Sequence, residues 1–305
     1  MGVEIYILDM FAYIGIFGIL AISLNLEYGF TGLPNFGLVA FFMVGAYTSA
    51  LAANAGFPYP ACIILAMIIS AIIGLFVSLP ALRLREDYLA ISTLAFGEIG
   101  RLVIKSEEWI AHGVWGISVP RAIDVSGAPL LTLSLQLALI FSILALCYFL
   151  VQIIVNSQFG RIMRGIREDE VLASSLGKNT FKYKAQVFAL GSALAGAAGS
   201  LFAQYNRFID PFVFFPTVTF SVWVMVMVGG PANNLGAIAG AALVQALERG
   251  SRIAKDYLPF LPIDPQNLRI IIIGVLIILV LMYRPQGLLR EGRVKTPALK
   301  VSKGA

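Results

Sequence analysis

The sequence predicts an all-α polytopic membrane protein of about nine transmembrane or partly broken helices. Its 305 residues are 59% hydrophobic and only 13% charged, with a mean hydropathy of +0.86, outside the balance of a soluble domain. Several windows reach the roughly 20 apolar residues that a spanning helix needs, the clearest being 60–79, 130–155 and 268–282. These runs are continuous and rich in Ala, Ile and Leu, without the short alternating segments of an outer-membrane barrel.

The elements follow in order. The opening "MGVEIYILDM" holds Glu4 but no Lys or Arg, so it lacks the basic start of a cleavable signal and reads as the first retained span, 5–24. Further spans are expected at 36–54, 60–80, 88–105, 130–155, 185–205, 216–229, 232–249 and 268–283. Charge sets their direction. Arg161, Arg164, Arg167, Lys178, Lys182 and Lys184 crowd the loop 156–184, and Arg284, Arg290, Arg293, Lys295, Lys300 and Lys303 fill the tail 284–305. Both belong in the cytoplasm by the positive-inside rule. The basic-poor loop "SEEWIAHGVWGISVPRAIDVSG" and the N-terminus then lie outside. The net charge of +5 is explained by these loops and needs no nucleic-acid partner.

Weak spans are informative because polar residues in lipid are costly. "LAISTLAFGEIGRLVIK" carries Thr93, Gly97, Glu98 and Arg101 and should face protein or water. Glu98 and Arg101, three apart, can pair on one helical face; the alternative is a polar gate. "VMVMVGG" ends in Gly229, Gly230 and Pro231, where a helix should break. "ALGSALAGAAGSLFAQ" repeats small residues four apart, Gly191, Ala195, Gly199 and Ser192, Gly196, Ser200. Such rows let backbones approach closely, within one subunit or between two. "PNFGLVAFFMVGAY" (34–47) and "FPTVTFSVWVMVMVGG" (215–230) echo one another in opposite orientations, an inverted repeat of the transporter kind with a path near its interrupted helices. On that ground the path is placed beside Asn35, Phe41, Thr93, Gly97, Glu98, Gly229 and Gly230.

Recognisable catalytic or nucleotide-binding motifs are absent from the sequence, so the chain is not read as an enzyme. His112 reads as a loop residue, and Cys62 and Cys147 as small hydrophobes in apolar runs; together they cannot close a metal site. A transporter of this kind draws on an ion gradient or on a separate ATPase. The stretch "REDEVLASSLG" bears on the choice. Glu168, Asp169 and Glu170 suit a helix start and Gly177 with Lys178 its end, predicting a self-capped helix over 168–176, about 13 Å long and too short to span. Val171, Leu172 and Leu176 give it an apolar face, and Ala173 and Gly177 leave little bulk. It is either a docking helix or a solvated connector.

"REDEVLASSLG" with "KYKAQVFALGSALAGAAGSLFA", "LNLEYGFTGLPNFGLVAFFMVGAY", "DYLAISTLAFGEIGRLV", "IDPFVFFPTVTFSVWVMVMVGG" and "YRPQGLL" resembles the permease subunits of branched-chain amino acid ABC importers, the LivM type. The likeness covers most of the chain. It implies one transmembrane permease domain, 1–305, with a cytoplasmic coupling loop at 156–184. It also implies a second related permease, two cytoplasmic ATP-binding subunits seated on Glu168–Gly177, and an external substrate-binding protein. ATP is then bound by partner subunits, and no cofactor by this chain. "GGPANNLG" and "HGVWGI" depart from the family's pattern. Relatives also serve urea and short amides. A gradient-driven carrier using Glu98 as its proton-linked carboxylate, or a membrane scaffold, would fit the residues without the likeness.

Overall fold

The computed structural model describes residues 3–120, 129–257 and, between 274 and 292, all but 276, 277, 279, 281 and 285. The first helix, α1 (Val3–Leu24), does not stop at 24. It passes directly into a π-helical turn, Asn25–Gly29, so the first apolar span runs Ile5–Gly29. Asn25 and Glu27 look like an exit into water, yet both are fully buried. An irregular segment with Thr31, Leu33 and Asn35 buried then leads to α2 (Leu38–Asn54). Non-helical backbone at membrane depth is tolerated only where protein covers it, and here protein does.

α3 (Tyr59–Ala81) starts with Pro60 in its first turn, where a missing N–H costs nothing. Ile64, Ile68, Ile72 and Phe76 form an exposed stripe four residues apart, while Cys62, Ala66, Ser70 and Gly74 face inward. α4 (Glu86–Ser106) is the expected weak span and is unbroken; Leu89, Thr93 and Arg101 turn into protein. After α5 (Glu108–Ala111) and a 3-10 turn at Gly113–Trp115, β1 (Ile117–Ser118) pairs antiparallel with β2 (Phe208–Ile209), Ile117 opposite Ile209. His112 caps α5 in the left-handed region at φ 58°.

Next come α6 (Pro129–Asn156), α7 (Gln158–Glu168), α8 (Glu170–Ser175) and α9 (Thr180–Asn206). After β2, α10 (Pro216–Gly229) begins at its proline and ends before Gly230 at φ 112°, the expected break. α11 (Asn234–Tyr257) outruns its expected end at 249. The expected span 268–283 and the tail beyond 292 lie largely or wholly outside the described residues.

Among the described residues, four helical segments are long and apolar enough to cross a membrane: Ile5–Gly29, Tyr59–Ala81, Leu130–Asn156 and Thr180–Asn206. Leu38–Asn54 and Pro216–Gly229 are shorter apolar helices. The chain is a multi-pass, all-α membrane protein, with one two-residue ribbon among the described residues.

α9 is the hub, and its small residues explain why. A methyl on Gly196 would lie 2.7 Å from Ala66 O of α3, and one on Gly199 2.7 Å from Ala46 N of α2. The two rows of small residues thus seat α9 against α2 and α3 of the same subunit. α2 and α10 run antiparallel. Phe214 packs on Tyr47 and Phe42, Val39 N–H donates to Thr219 Oγ1 (3.1 Å), and Phe36 stacks on Trp223 (4.6 Å).

Candidate functional site

The acidic stretch does not form one helix over 168–176. The apolar face of α7 (Gly160, Met163, Ile166, all buried) carries that helix through Glu168, so Glu168 closes α7 instead of opening the next helix. Asp169 is extended (φ −156°, ψ 104°), and its Oδ1 accepts from Leu172 N–H at 2.9 Å, the bond that makes Asp a strong N-cap. Only Glu170 sits in the first turn of α8. At the other end Gly177, at φ 75°, donates to Ser174 O (2.9 Å) and Lys178 N–H to Ala173 O (3.2 Å), a Schellman cap. Glu170 and Lys184 pair at 2.6 Å and tie α8 to the start of α9.

Val171, Leu172 and Leu176 are 74%, 58% and 71% exposed, a large apolar area for a six-residue helix and the C-cap residue that follows it. Ala173 is buried and lines the floor between α7 and α8. Beside this face runs a groove of 390 Å³ between α7 and α8, lined by Arg161, Gly165, Glu168, Leu172 and Leu176 among others. A methyl on Gly165 or Gly177 would meet nothing within 4 Å, so this side is open.

A second polar cluster lies inside the bundle. Glu27 Oε2 accepts from Asn35 Nδ2 at 2.8 Å, while its Oε1 has no hydrogen-bond partner and lies against Gly191. Asn35 Oδ1 accepts from Gly37 N–H (2.9 Å) at the start of α2. Phe36 N–H donates to Thr93 Oγ1 (3.1 Å), and Trp223 Nε1 to Asn35 O (3.2 Å). One irregular segment therefore joins α2, α4 and α10. Asn25 is held in the same manner. Its Nδ2 donates to Asn234 Oδ1 and its Oδ1 accepts from Ala232 N–H, both at 2.9 Å, and Asn234 Nδ2 reaches Gln152 Oε1 at 3.1 Å. In an apolar surround a buried polar group gains most from a partner within the protein, and both asparagines find theirs while Glu27 Oε1 does not.

The expected path residues divide on this map. Asn35 and Thr93 meet at the crossing, with Gly97 one turn along α4, where an added methyl would lie 3.7 Å from Ala40 Cβ and Gly37 Cα. Phe41 is enclosed by the rings of Phe96 and Phe188. Glu98 pairs with Arg101 (Nε to Oε2, 3.0 Å), whose guanidinium rests 4.6 Å from the Phe215 ring. Gly229 and Gly230 stand apart at the α10–α11 turn, where Leu288 and Leu289 N–H groups donate to Val228 and Gly229 carbonyls (2.9 and 3.0 Å). Sequence reasoning passed over Asn25, Glu27 and Trp223. An acid following so long an apolar run was the available signal.

Over residues 6–281 the chain matches the family described as branched-chain amino acid transport system / permease component. The chain belongs to this family. A probable branched-chain amino acid transport permease protein LivM of Methanocaldococcus jannaschii is 30% identical, across 94% of each chain. The high-affinity branched-chain amino acid transport system permease protein LivM of Salmonella typhimurium is 30% identical over 95% of this chain and 70% of its own length. The LivH permease of the same organism is 24% identical over 92% of both. This chain is thus a transport permease component, and two related permeases occur together in one organism among its relatives.

Proposed function

We propose that the chain is one of two permease subunits of an ATP-driven importer, forming half of the path for branched-chain or similar hydrophobic amino acids delivered by an external binding protein. The observation that carries the ATP-driven reading is the α7–α8 unit: a rigid, doubly capped helix whose exposed Val171, Leu172 and Leu176 suit a groove on a separate ATPase. The relatives' printed names support the substrate class. The gradient-driven alternative finds less support, since Glu98, its candidate carboxylate, is tied to Arg101. The path is placed beside the crossing of α2, α4 and α10, at Asn35, Thr93 and Gly97.

The test is uptake by proteoliposomes holding this chain, the second permease and the ATPase encoded with it, supplied with the loaded binding protein. ATP-dependent leucine accumulation is expected, and Gly97→Leu should lower it several-fold at wild-type yield, because a bulky side chain there enters the crossing. A binding protein that takes urea or short amides in place of leucine would overturn the substrate assignment. Full uptake by well-expressed Gly97→Leu would move the path elsewhere. Gly229 is unsuited to this test, since a methyl there would approach Gly236 C to 2.6 Å and Ala237 N to 3.1 Å and disturb packing.

Orientation is open to direct labelling. Trp115 and Lys182 are exposed and lie on opposite sides in the proposed topology, whereas Cys62 and Cys147 are buried. In intact cells a membrane-impermeant thiol reagent should modify Trp115→Cys and spare Lys182→Cys. The reverse pattern would invert the topology. Arg293, expected on the same side as Lys182, lies outside the described residues.

A further inference from the structure

Arginines of α7 join the two clusters above, Arg167 by hydrogen bonds and Arg164 by a ring contact. Arg167, in the last turn of α7, donates through Nη1 to Gly29 O, the last carbonyl of the π-helical turn. Its Nη2 bonds Glu291 Oε2 at 2.9 Å. The stem of Arg167 covers Gly32, at φ 76°, where an added methyl would lie 3.3 Å from Arg167 Cγ. Arg164, one turn earlier, places its guanidinium 5.4 Å from the ring of Phe30, the next residue after the π turn. So α7 grips the C-terminal end of this turn and the residues that follow it. From Gly29 the connection is short: the same turn holds Glu27, Glu27 holds Asn35, and Asn35 holds the start of α2 and the indole of Trp223. The last four carbonyls of a helix have no partner within it. The helix ends at Thr31, and the carbonyl of Gly29, one of those four, bonds the helix next to the exposed apolar face.

We propose that Arg167 is a positioning residue that locks the coupling segment to the Asn25–Gly29 turn, so that displacement of α7–α8 moves the α2–α4–α10 crossing. This rests on the permease reading above. The planar fork is the relevant feature, because it reaches a backbone carbonyl and a carboxylate at once, which a single ammonium does not reproduce. A chain of contacts alone is only suggestive of coupling, so the decisive readout is a ratio: leucine transported per ATP hydrolysed.

In the fully assembled, reconstituted complex, Arg167→Ala should keep its ATPase subunits and its ATP hydrolysis while the transport ratio falls roughly tenfold. Arg167→Lys, which preserves charge and length without the fork, should fall about threefold, and it decides the matter if the alanine variant does not assemble. An unchanged ratio in a variant that assembles would overturn the proposal. So would loss of ATPase association by both variants while the permease itself folds and purifies at wild-type yield, which would make Arg167 a docking residue. If the wild-type complex itself shows no ATP-driven uptake, the permease reading fails; if it transports and both variants match it, only the role of Arg167 fails.

Discussion

Gly199→Val should leave almost no folded protein. At this point of α9 the added side chain overlaps Phe42 O and lies 2.7 Å from Ala46 N. Both are backbone atoms of α2, which cannot rotate away as a side chain could. Inserted bulk in a close-packed core costs about 1–3 kcal/mol where neighbours adjust. Here α2 and α9 must separate, and the cost should exceed that range. A few kcal/mol is a large share of a protein's total stability. The matched control is Gly100→Ala, whose new methyl meets only the Met43 Cε at 3.5 Å, the mobile end of a flexible side chain. Yield and thermal unfolding in detergent distinguish the two: the control should match wild type and Gly199→Val should aggregate. A monodisperse Gly199→Val protein with the wild-type unfolding midpoint would show that α2 and α9 do not pack in this way.

That contact was legible in advance because its cause is local: small residues four apart point to one face of a helix, and close approach follows from their size. The start of α10 at Pro216 was legible for the same reason, since proline suits the first turn, where its missing N–H costs nothing. The end of the first span was not. Asn25 and Glu27 resemble a return to water because their partners, Asn234 and Asn35, lie far along the chain or beyond a break in the helix. Long-range satisfaction of buried polar groups leaves no local periodicity to read.

The α7–α8 segment was half legible. Gly177 as a helix terminator and the apolar trio Val171, Leu172 and Leu176 could be read from residue types. The boundary at Asp169 could not, because three adjacent acids all suit a helix start, and the choice falls to the amphipathic pattern of α7, which runs through to Glu168. The reach of Arg167 back to Gly29 was hidden for a further reason: in sequence that arginine is one of several basic residues crowding the loop 156–184.

The account's central claim is that α7–α8 is the surface on which a separate ATPase acts, and Leu172→Asp tests it most directly. Leu172 is 58% exposed, so the membrane bundle does not depend on its side chain. Its backbone N–H bond to Asp169 is unaffected by the change, so α8 keeps its cap. Burying such a side chain against a partner is worth about 1.5–3 kcal/mol, and a buried unpaired carboxylate adds a further penalty. Association should therefore weaken by roughly tenfold to a hundredfold or more. The measurement is co-purification of the ATPase with Leu172→Asp, together with leucine-stimulated ATP hydrolysis by whatever complex forms. The account predicts wild-type yield of the permease, little retained ATPase and stimulated hydrolysis reduced at least about tenfold. Full association with full stimulation would contradict it, and α7–α8 would then be a solvated connector.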